Sequence, residues 1–123
     1  CIDRVRRCVI GADGSRTAYD RLVIATGSRP IVPPLPGHDL DGVVTYRDLD
    51  DVEAMLSRAA GGGRAVVIGG GLLGLEAAAG LAARGMQVTV LHLAATLMER
   101  QLDAAAGYLL GQALIARGID VVT

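Results

Sequence analysis

The feature that most constrains the fold is an apolar run that ends in a glycine-rich turn. Residues 66–76 read VVIGGGLLGLE, with Gly69, Gly71 and Gly74 in the spacing G-x-G-x-x-G. When such a spacing follows an apolar strand and opens a helix, it is typical of a turn that receives the pyrophosphate of a dinucleotide. The turn therefore predicts a strand–turn–helix unit at the centre of the chain.

The residues around this turn alternate between helix and strand patterns. Asp48 is expected to cap a helix that ends at the glycines 61–63. The following pattern predicts a buried strand at 64–68, a helix at 71–84, a strand at 87–93, a helix at 99–117 and a strand at 119–122. This β-α-β-α-β order predicts an α/β fold, half of a Rossmann-like doubly wound parallel sheet.

The first 45 residues follow a different pattern. Strands are predicted at 4–10 and 17–24, joined by the turn 11–15 into a β-hairpin. All four prolines lie between positions 30 and 36, which indicates a stiff connector. The predicted division is therefore residues 1–45, a hairpin piece with its connector, and residues 46–123, the nucleotide-binding part.

Composition excludes several classes of function. The net charge is −1 and the twelve basic residues, all arginine, are scattered, which argues against nucleic acid and anionic membranes as partners. No apolar run of about 18 residues and no signal-peptide pattern occur, so a soluble cytoplasmic protein is expected. Cys1 and Cys8 match neither a CxxC pair nor a zinc spacing, so reduced thiols and no metal site are predicted.

Each part of the glycine turn has a predicted physical role. Gly69 permits the tight turn, Gly71 leaves room for the pyrophosphate, and Gly74 lets the helix lie close to the sheet. The backbone N–H groups near Leu72 and Leu73 would receive phosphate oxygens at the positive end of the helix. The alternative is a tight strand–helix turn that binds nothing.

The end of the second parallel strand bears on which dinucleotide binds. An acidic residue there would hydrogen-bond the adenosine ribose and repel a 2′-phosphate, but this chain carries His92. A neutral imidazole can bond a hydroxyl, and a protonated one can tolerate a phosphate. The choice between NADH and NADPH therefore stays open, as does a surface position for His92 with no cofactor role.

Two ordered motifs resemble those of the pyridine nucleotide-dependent flavoprotein reductases. Residues 19–27, YDRLVIATG, are similar to a segment that returns to the FAD-binding domain, and GGGLLGLE follows a proline-rich connector as in that family. The resemblance implies that Thr26 and Gly27 lie against FAD and that Glu76 lies near the nicotinamide of NAD(P)H. Read from the residues alone, the first pair is a chain reversal and Glu76 is a surface carboxylate that balances the helix dipole.

Within that family the chain is most similar to the large subunits of assimilatory NAD(P)H-dependent nitrite reductases. Residues 69–78, GGGLLGLEAA, and 96–103, TLMERQLD, carry this resemblance. It implies hydride transfer from NAD(P)H to FAD, then electron transfer through an iron–sulfur cluster to sirohaem, where nitrite is reduced to ammonia. A ferredoxin or rubredoxin reductase and a non-catalytic nucleotide-binding module are the alternatives.

The motifs that such an enzyme also needs do not occur in these 123 residues. An upstream FAD-binding glycine motif and cluster-ligating cysteines are both missing. We therefore expect a fragment that is inactive alone, has no catalytic side chain of its own and works with the rest of a parent flavoprotein. A free sheet edge also invites pairing, which predicts a homo-oligomer.

Overall fold

The computed structural model describes all 123 residues as two separate three-stranded sheets and three helices. The elements, in chain order, are β1 (Ile2–Asp3), β2 (Cys8–Ile10), β3 (Arg16–Ala18), α1 (Leu49–Ala59), β4 (Gly63–Ile68), α2 (Leu72–Ala82), β5 (Met86–Leu91), α3 (Ala104–Ile115) and β6 (Ile119–Val122). We call residues 1–47 the N-terminal part and residues 63–122 the α/β part. No helix is both long enough and apolar enough to cross a membrane.

The α/β part forms the predicted β-α-β-α-β unit. Strands β4, β5 and β6 are parallel neighbours in that order, and α2 and α3 pack against the sheet. Apolar side chains from the strands, both helices and the loop before α3 meet in one core: Leu75, Ala78, Val88, Val90, Leu97, Leu114 and Ile119. The fold-class prediction is confirmed, because a parallel sheet with crossover helices is what the glycine spacing and apolar periods required.

The strand β4 is less buried than its apolar sequence predicted. Val66 and Ile68 are 61% and 59% exposed, whereas Ala65 and Val67 pack against the core. β4 pairs only with β5, and alternate residues of a strand point to opposite faces, so Val66 and Ile68 lie on the face that no helix covers. The prediction of a buried strand was wrong for that face, and pairing of the free edge with another copy stays a prediction.

Helix α1 begins where the sequence predicted. The Asp48 side chain accepts a hydrogen bond from the backbone N–H of Asp51 at 3.0 Å, so it satisfies one of the donors that a helix start leaves free. The helix ends at Ala59, and Gly62 and Gly63 follow with positive φ of 65° and 106°. An aspartate cap and a glycine stop therefore fix both ends.

Helix α3 begins five residues later than predicted, at residue 104 rather than 99. Leu97 is buried in the core, and Met98 has a positive φ of 54° that a helix cannot contain. The Asp103 side chain accepts from the backbone N–H of Ala106 at 2.8 Å and caps the helix at that point. Residues 96–102 are therefore an ordered loop, which the apolar period alone did not reveal.

The N-terminal sheet also differs from the predicted hairpin. Residues 4–7 form a turn, because Asp3 Oδ1 accepts from the backbone N–H groups of Val5 and Arg6, and a third strand, β1, results. The turn at 11–15 between β2 and β3 is as predicted. The strand predicted to reach residue 24 ends at Ala18, which pairs with Cys8. One further bond follows, from the N–H of Tyr19 to the carbonyl oxygen of Arg7, where the partner strand meets the turn 4–7.

The connector, residues 21–47 at the end of the N-terminal part, contains no helix or strand. Arg58 of α1 pairs with Asp41 of the connector at 2.7 Å, and within the connector Arg47 Nε donates to the carbonyl oxygen of Ser28 at 3.2 Å. Asp51 in α1 also accepts from the backbone N–H of Arg47 at 2.7 Å and from the Thr45 hydroxyl at 2.8 Å. The connector is therefore attached through polar contacts, not through an apolar core.

Candidate functional site

The glycine turn between β4 and α2 is shaped by two very close backbone contacts. Gly69 has a φ of +119°, which only glycine adopts without strain, and its N–H bonds the carbonyl oxygen of Leu91 at 2.8 Å. A Cβ on Gly74 would collide with the carbonyl oxygen of Gly69. The predicted structural roles of these two glycines, a tight turn and a close helix, are therefore what the structure shows.

Gly71 differs from its neighbours because the space beside it is empty. A Cβ at Gly71 would have no atom within 4 Å, and its φ of −85° is available to any residue. Gly71 is also the N-cap of α2, and no side chain caps the helix there. No packing requirement calls for glycine at this position, so a requirement for glycine would have to come from something outside the chain.

The start of α2 presents unpaired backbone donors toward that empty space. The first bond of the helix joins the N–H of Leu75 to the carbonyl oxygen of Gly71, so the N–H groups of Leu72 and Leu73 have no intrahelical partner. Both side chains are exposed, and the first turn contains no acidic residue. Free donors at the positive end of a helix dipole suit an anion such as a pyrophosphate.

The loop after β5 holds the glycine turn from the other side. His92 Nδ1 accepts from the N–H of Gly70 at 3.1 Å, and the N–H of Met98 donates to the carbonyl oxygen of Gly70 at 3.0 Å. A Cβ on Gly70 would collide with Leu97 and would lie 2.8 Å from the His92 ring. Sequence reasoning missed this role of Gly70, although a glycine between the two motif glycines Gly69 and Gly71 was a visible signal.

Both ring nitrogens of His92 are engaged. Because Nδ1 accepts from Gly70, the proton lies on Nε2, which donates to Glu99 Oε2 at 3.0 Å. The His92 side chain is only 11% exposed and the Glu99 side chain 41%. The ring is thus a neutral imidazole between the turn and a carboxylate, and its predicted contact with a ribose stays a prediction.

Glu99 is held in its charged form. A backbone hydrogen bond at its own residue, followed by the hydrogen bond from His92, lowers the pKa of the Glu99 carboxyl below its ordinary value of 4.5. The side chain is therefore anionic at neutral pH. The sequence pattern predicted that this residue begins a helix at 99, whereas the structure places it on the loop beside the glycine turn.

Glu76 lies on the exposed side of α2, away from the sheet. It lines a cleft of about 210 Å³ between α1 and α2, together with Tyr46 and Arg84. Its predicted position near a nicotinamide stays a prediction. No hydrogen bond or ion pair within the chain engages the Glu76 carboxylate.

Thr26 and Gly27 lie apart from the glycine turn, in the N-terminal part. Gly27 has a φ of +70°, and a Cβ there would lie 3.4 Å from a guanidinium nitrogen of Arg47. Arg47 also bonds Ser28, so it holds this exposed reversal against the start of α1. The structure thus brings Gly69–Gly74 and His92 together in one site and places Thr26 and Gly27 elsewhere.

A second cleft connects the connector to the glycine turn. It has a volume of about 870 Å³ and is lined by residues of 30–38 and 42–46, by β4 and by Leu73 and Gly74 of α2. Most of its lining is apolar. The cleft is wide enough for a drug-sized ligand or a further chain segment.

Comparison with known proteins shows that this arrangement recurs. A family model described as pyridine nucleotide-disulphide oxidoreductase matches residues 2–123. The NAD(P)H nitrite reductase large subunit of Klebsiella oxytoca is 48% identical over 122 residues, and an NAD(P)H nitrite reductase of Bacillus subtilis is 49% identical over 118 residues. These alignments cover 99% and 96% of the chain but only 13% and 15% of the two relatives.

A solved structure shares the same fold over nearly the whole chain. A ferredoxin reductase from Rhodopseudomonas palustris superposes with a TM-score of 0.86 at 34% sequence identity. The match covers 98% of this chain and 30% of that one. The N-terminal sheet, the connector and the α/β part therefore occur together, in this arrangement, within a larger protein of known structure.

Proposed function

The chain belongs to the pyridine nucleotide-disulphide oxidoreductase family, and we propose that its glycine turn binds the pyrophosphate of NAD(P)H in a flavin-dependent oxidoreductase. One observation carries the proposal: Gly71 is the N-cap residue of α2, no side chain caps the helix there, and no atom of the chain occupies the space beside it. A pyrophosphate there would accept from the free N–H groups of Leu72 and Leu73.

The residues of this chain contribute binding and orientation in the proposed function. When bound, NAD(P)H would supply the hydride and FAD would accept it, so the chain would need no catalytic side chain of its own. Gly71, Leu72 and Leu73 would hold the phosphates, and Glu76 would orient the nicotinamide. Thr26 and Gly27 would form one edge of the FAD site.

The proposal assigns the FAD site and the NAD(P)H site to the two segments predicted from the sequence. Residues 1–45 would belong to an FAD-binding domain and its connector, and residues 46–123 to the NAD(P)H-binding domain. The exposed apolar side chains of the first segment support this division, because Val23 and Ile24 are 84% and 69% exposed within this chain. An FAD-binding domain would supply apolar partners for them.

We further propose nitrite as the terminal electron acceptor and ammonia as the product. The support is the identity of 48–49% to two proteins named NAD(P)H nitrite reductase. Since the chain spans 13–15% of their length, sirohaem and an iron–sulfur cluster would be held by other segments of such a protein. The superposition on a ferredoxin reductase favours the second candidate, electron transfer from FAD to a small iron–sulfur protein.

A pair of glycine variants tests the binding proposal. Gly71→Val should abolish saturable NADH binding in a calorimetric titration, because its side chain would occupy the space reserved for the pyrophosphate. The fold should persist, because the position is open and has an ordinary φ. Gly80→Ala is the matched control: it also lies in open space on α2, and it should bind NADH as the unaltered chain does.

Two results would count against this proposal. The first is equal NADH affinity in Gly71→Val and Gly80→Ala. The second is no binding of NADH or NADPH by the unaltered chain at millimolar concentration. Circular dichroism of both variants would separate loss of binding from loss of fold.

The acceptor is tested in a longer protein that contains this segment. NADH-dependent consumption of nitrite with stoichiometric release of ammonia would support the nitrite proposal. Reduction of a ferredoxin with no consumption of nitrite would support the second candidate. NADH binding with no flavin-linked activity would instead support a non-catalytic nucleotide-binding module.

A further inference from the structure

The Glu99 carboxylate lies at the C-terminal end of β5, the second parallel strand, although Glu99 is not part of that strand. β5 ends at Leu91, and the next residue, His92, donates from Nε2 to Glu99 Oε2 at 3.0 Å. Glu99 reaches this position because the loop 92–99 folds back over the glycine turn, where the N–H of Met98 bonds the carbonyl oxygen of Gly70 at 3.0 Å. The loop therefore places a negative charge at the C-terminal end of β5, beside the glycine turn.

This position is where a Rossmann-type sheet distinguishes the two nicotinamide cofactors. An acidic residue at the end of the second strand accepts a hydrogen bond from the ribose 2′-hydroxyl and repels a 2′-phosphate. His92 occupies the usual place, but its ring is engaged by Gly70 on one side and by Glu99 on the other. Of the hydrogen-bonded series Gly70, His92 and Glu99, the Glu99 carboxylate is the group that solvent and a ligand can reach, because its side chain is 41% exposed.

We propose that the Glu99 carboxylate, fixed by His92, makes the glycine turn select NADH over NADPH. The inference rests on the proposed function, because it assigns the cofactor preference of that same site. A carboxylate beside a 2′-phosphate is a like-charge contact at a partly exposed position, and such a contact lowers affinity by about tenfold. A 2′-hydroxyl can donate a hydrogen bond to the same oxygen atoms.

His92 acts as a positioning residue in this arrangement. Its neutral ring is tied to the backbone N–H of Gly70 at 3.1 Å, so the Glu99 side chain is held relative to the glycine turn and not left free in solvent. The one cation next to the carboxylate is Arg100, which forms no ion pair within the chain. Arg100 is therefore the residue that could favour a 2′-phosphate instead.

The experiment measures dissociation constants for NADH and for NADPH by calorimetry. The unaltered chain should bind NADH at least about tenfold more tightly than NADPH. Glu99→Gln should reduce that ratio by about tenfold, mainly through tighter NADPH binding, and Glu99→Arg should invert the preference. Raising the salt concentration should narrow the ratio of the unaltered chain, since an exposed charge is screened.

Glu53→Gln is the matched control, because it removes the same charge from an exposed position on α1. Its NADH to NADPH ratio should equal that of the unaltered chain. Glu99→Asp keeps the charge and should keep the preference for NADH. Thermal unfolding of each variant shows whether the fold is retained.

Three results would overturn the inference while leaving the proposed function intact. The first is a preference for NADH that Glu99→Gln does not change. The second is equal affinity of the unaltered chain for both cofactors. The third is a preference for NADPH that Arg100→Gln removes. Absence of binding to either cofactor would overturn the proposed function itself, and this inference with it.

Discussion

The N-terminal part and the α/β part carry equally recognisable motifs, but only the second is packed within the chain. Of twelve buried residues, Cys8 is the only one in residues 1–47. Residues 19–27, which carry the flavoprotein-like motif, form no strand and are almost entirely exposed. In contrast, Gly69 to Glu76 connects a strand and a helix whose apolar faces close a core.

The difference shows that a motif and a packed site are separate properties. Contacts within the chain fix the shape of the glycine turn. Gly74 lies against the carbonyl oxygen of Gly69, and the backbone of Gly70 forms hydrogen bonds with His92 and Met98. The reversal at Thr26 and Gly27 is held by a single arginine, Arg47. A sequence pattern can identify both, but only the first is stabilised by what is present here.

The largest expected effect comes from removing the same side chain in each part. Ile119 is 1% exposed in the core, and Ile31 is 91% exposed in the connector. Ile119→Ala should lower the free energy of unfolding by about 2–5 kcal/mol, whereas Ile31→Ala should leave it almost unchanged. Urea denaturation followed by circular dichroism measures both, and equal losses would show that the connector is packed after all.

A second pair of variants examines how tightly the α/β part is packed. Gly74→Ala places a Cβ against the carbonyl oxygen of Gly69, a backbone atom that cannot rotate away, and should lower the free energy of unfolding by about 1–3 kcal/mol. Gly80→Ala, in open space on the same helix, should raise it by about 0.5–1 kcal/mol. Shifts of the same sign in urea midpoint would contradict the assigned close contact.

A third pair determines to which part α1 belongs. Asp48 and Asp103 cap α1 and α3 with the same type of hydrogen bond. Asp103→Ala should lower the global free energy of unfolding by about 1 kcal/mol. Asp48→Ala should instead accelerate hydrogen exchange within α1, because Ala59 is the only buried residue of that helix. If Asp48→Ala lowered the global free energy of unfolding as much as Asp103→Ala, α1 would unfold together with the core.

The smallest effect is the pH dependence of two exposed carboxylates, one in each part. The Arg58 hydrogen bond and its charge lower the pKa of Asp41 below 3.8, and the pKa of Glu99 lies below 4.5. A lowered folded-state pKa gives stability that is present above the unfolded value and lost as pH falls through the folded value. NMR titration should therefore show both groups titrating below 3.8 and 4.5.

Variants assign these two titrations. Arg58→Gln should return the pKa of Asp41 toward its ordinary value without moving that of Glu99, because Asp41 is the carboxylate with which Arg58 pairs. His92→Gln should raise the pKa of Glu99 and leave Asp41 where it was. A shift of both groups in either variant would mean that the two parts are electrostatically coupled.

The sequence predicted the α/β order because glycine spacing and apolar periods are local signals. Asp48 and the glycines that follow α1 were equally local and correctly placed. The start of α3 was missed because it depends on Leu97 entering a core built from distant strands. The length of β3 was missed for the same kind of reason, since strand pairing depends on where the partner strand turns.

Within the candidate site, positions that leave space were easier to predict than positions that fill it. The open space beside Gly71 could be predicted from the spacing alone. The bond between His92 and Gly70 could not, because it joins residues 22 apart through a side chain. A close contact between Gly107 and the carbonyl oxygen of Leu97, at 2.7 Å from an added Cβ, was also invisible. These contacts determine the path of the loop 92–99 and therefore the position of Glu99.

The four prolines of the connector have a consequence for how the parallel sheet can grow. A proline has no backbone N–H, so a segment with prolines at 30, 33, 34 and 36 cannot form a continuous ladder, although it lines the same cleft as β4. The connector can thus lie near the open edge without sealing it. A strand that keeps its own N–H groups can still pair with the free edge of β4. The connector therefore leaves the sheet open to a further strand on that side.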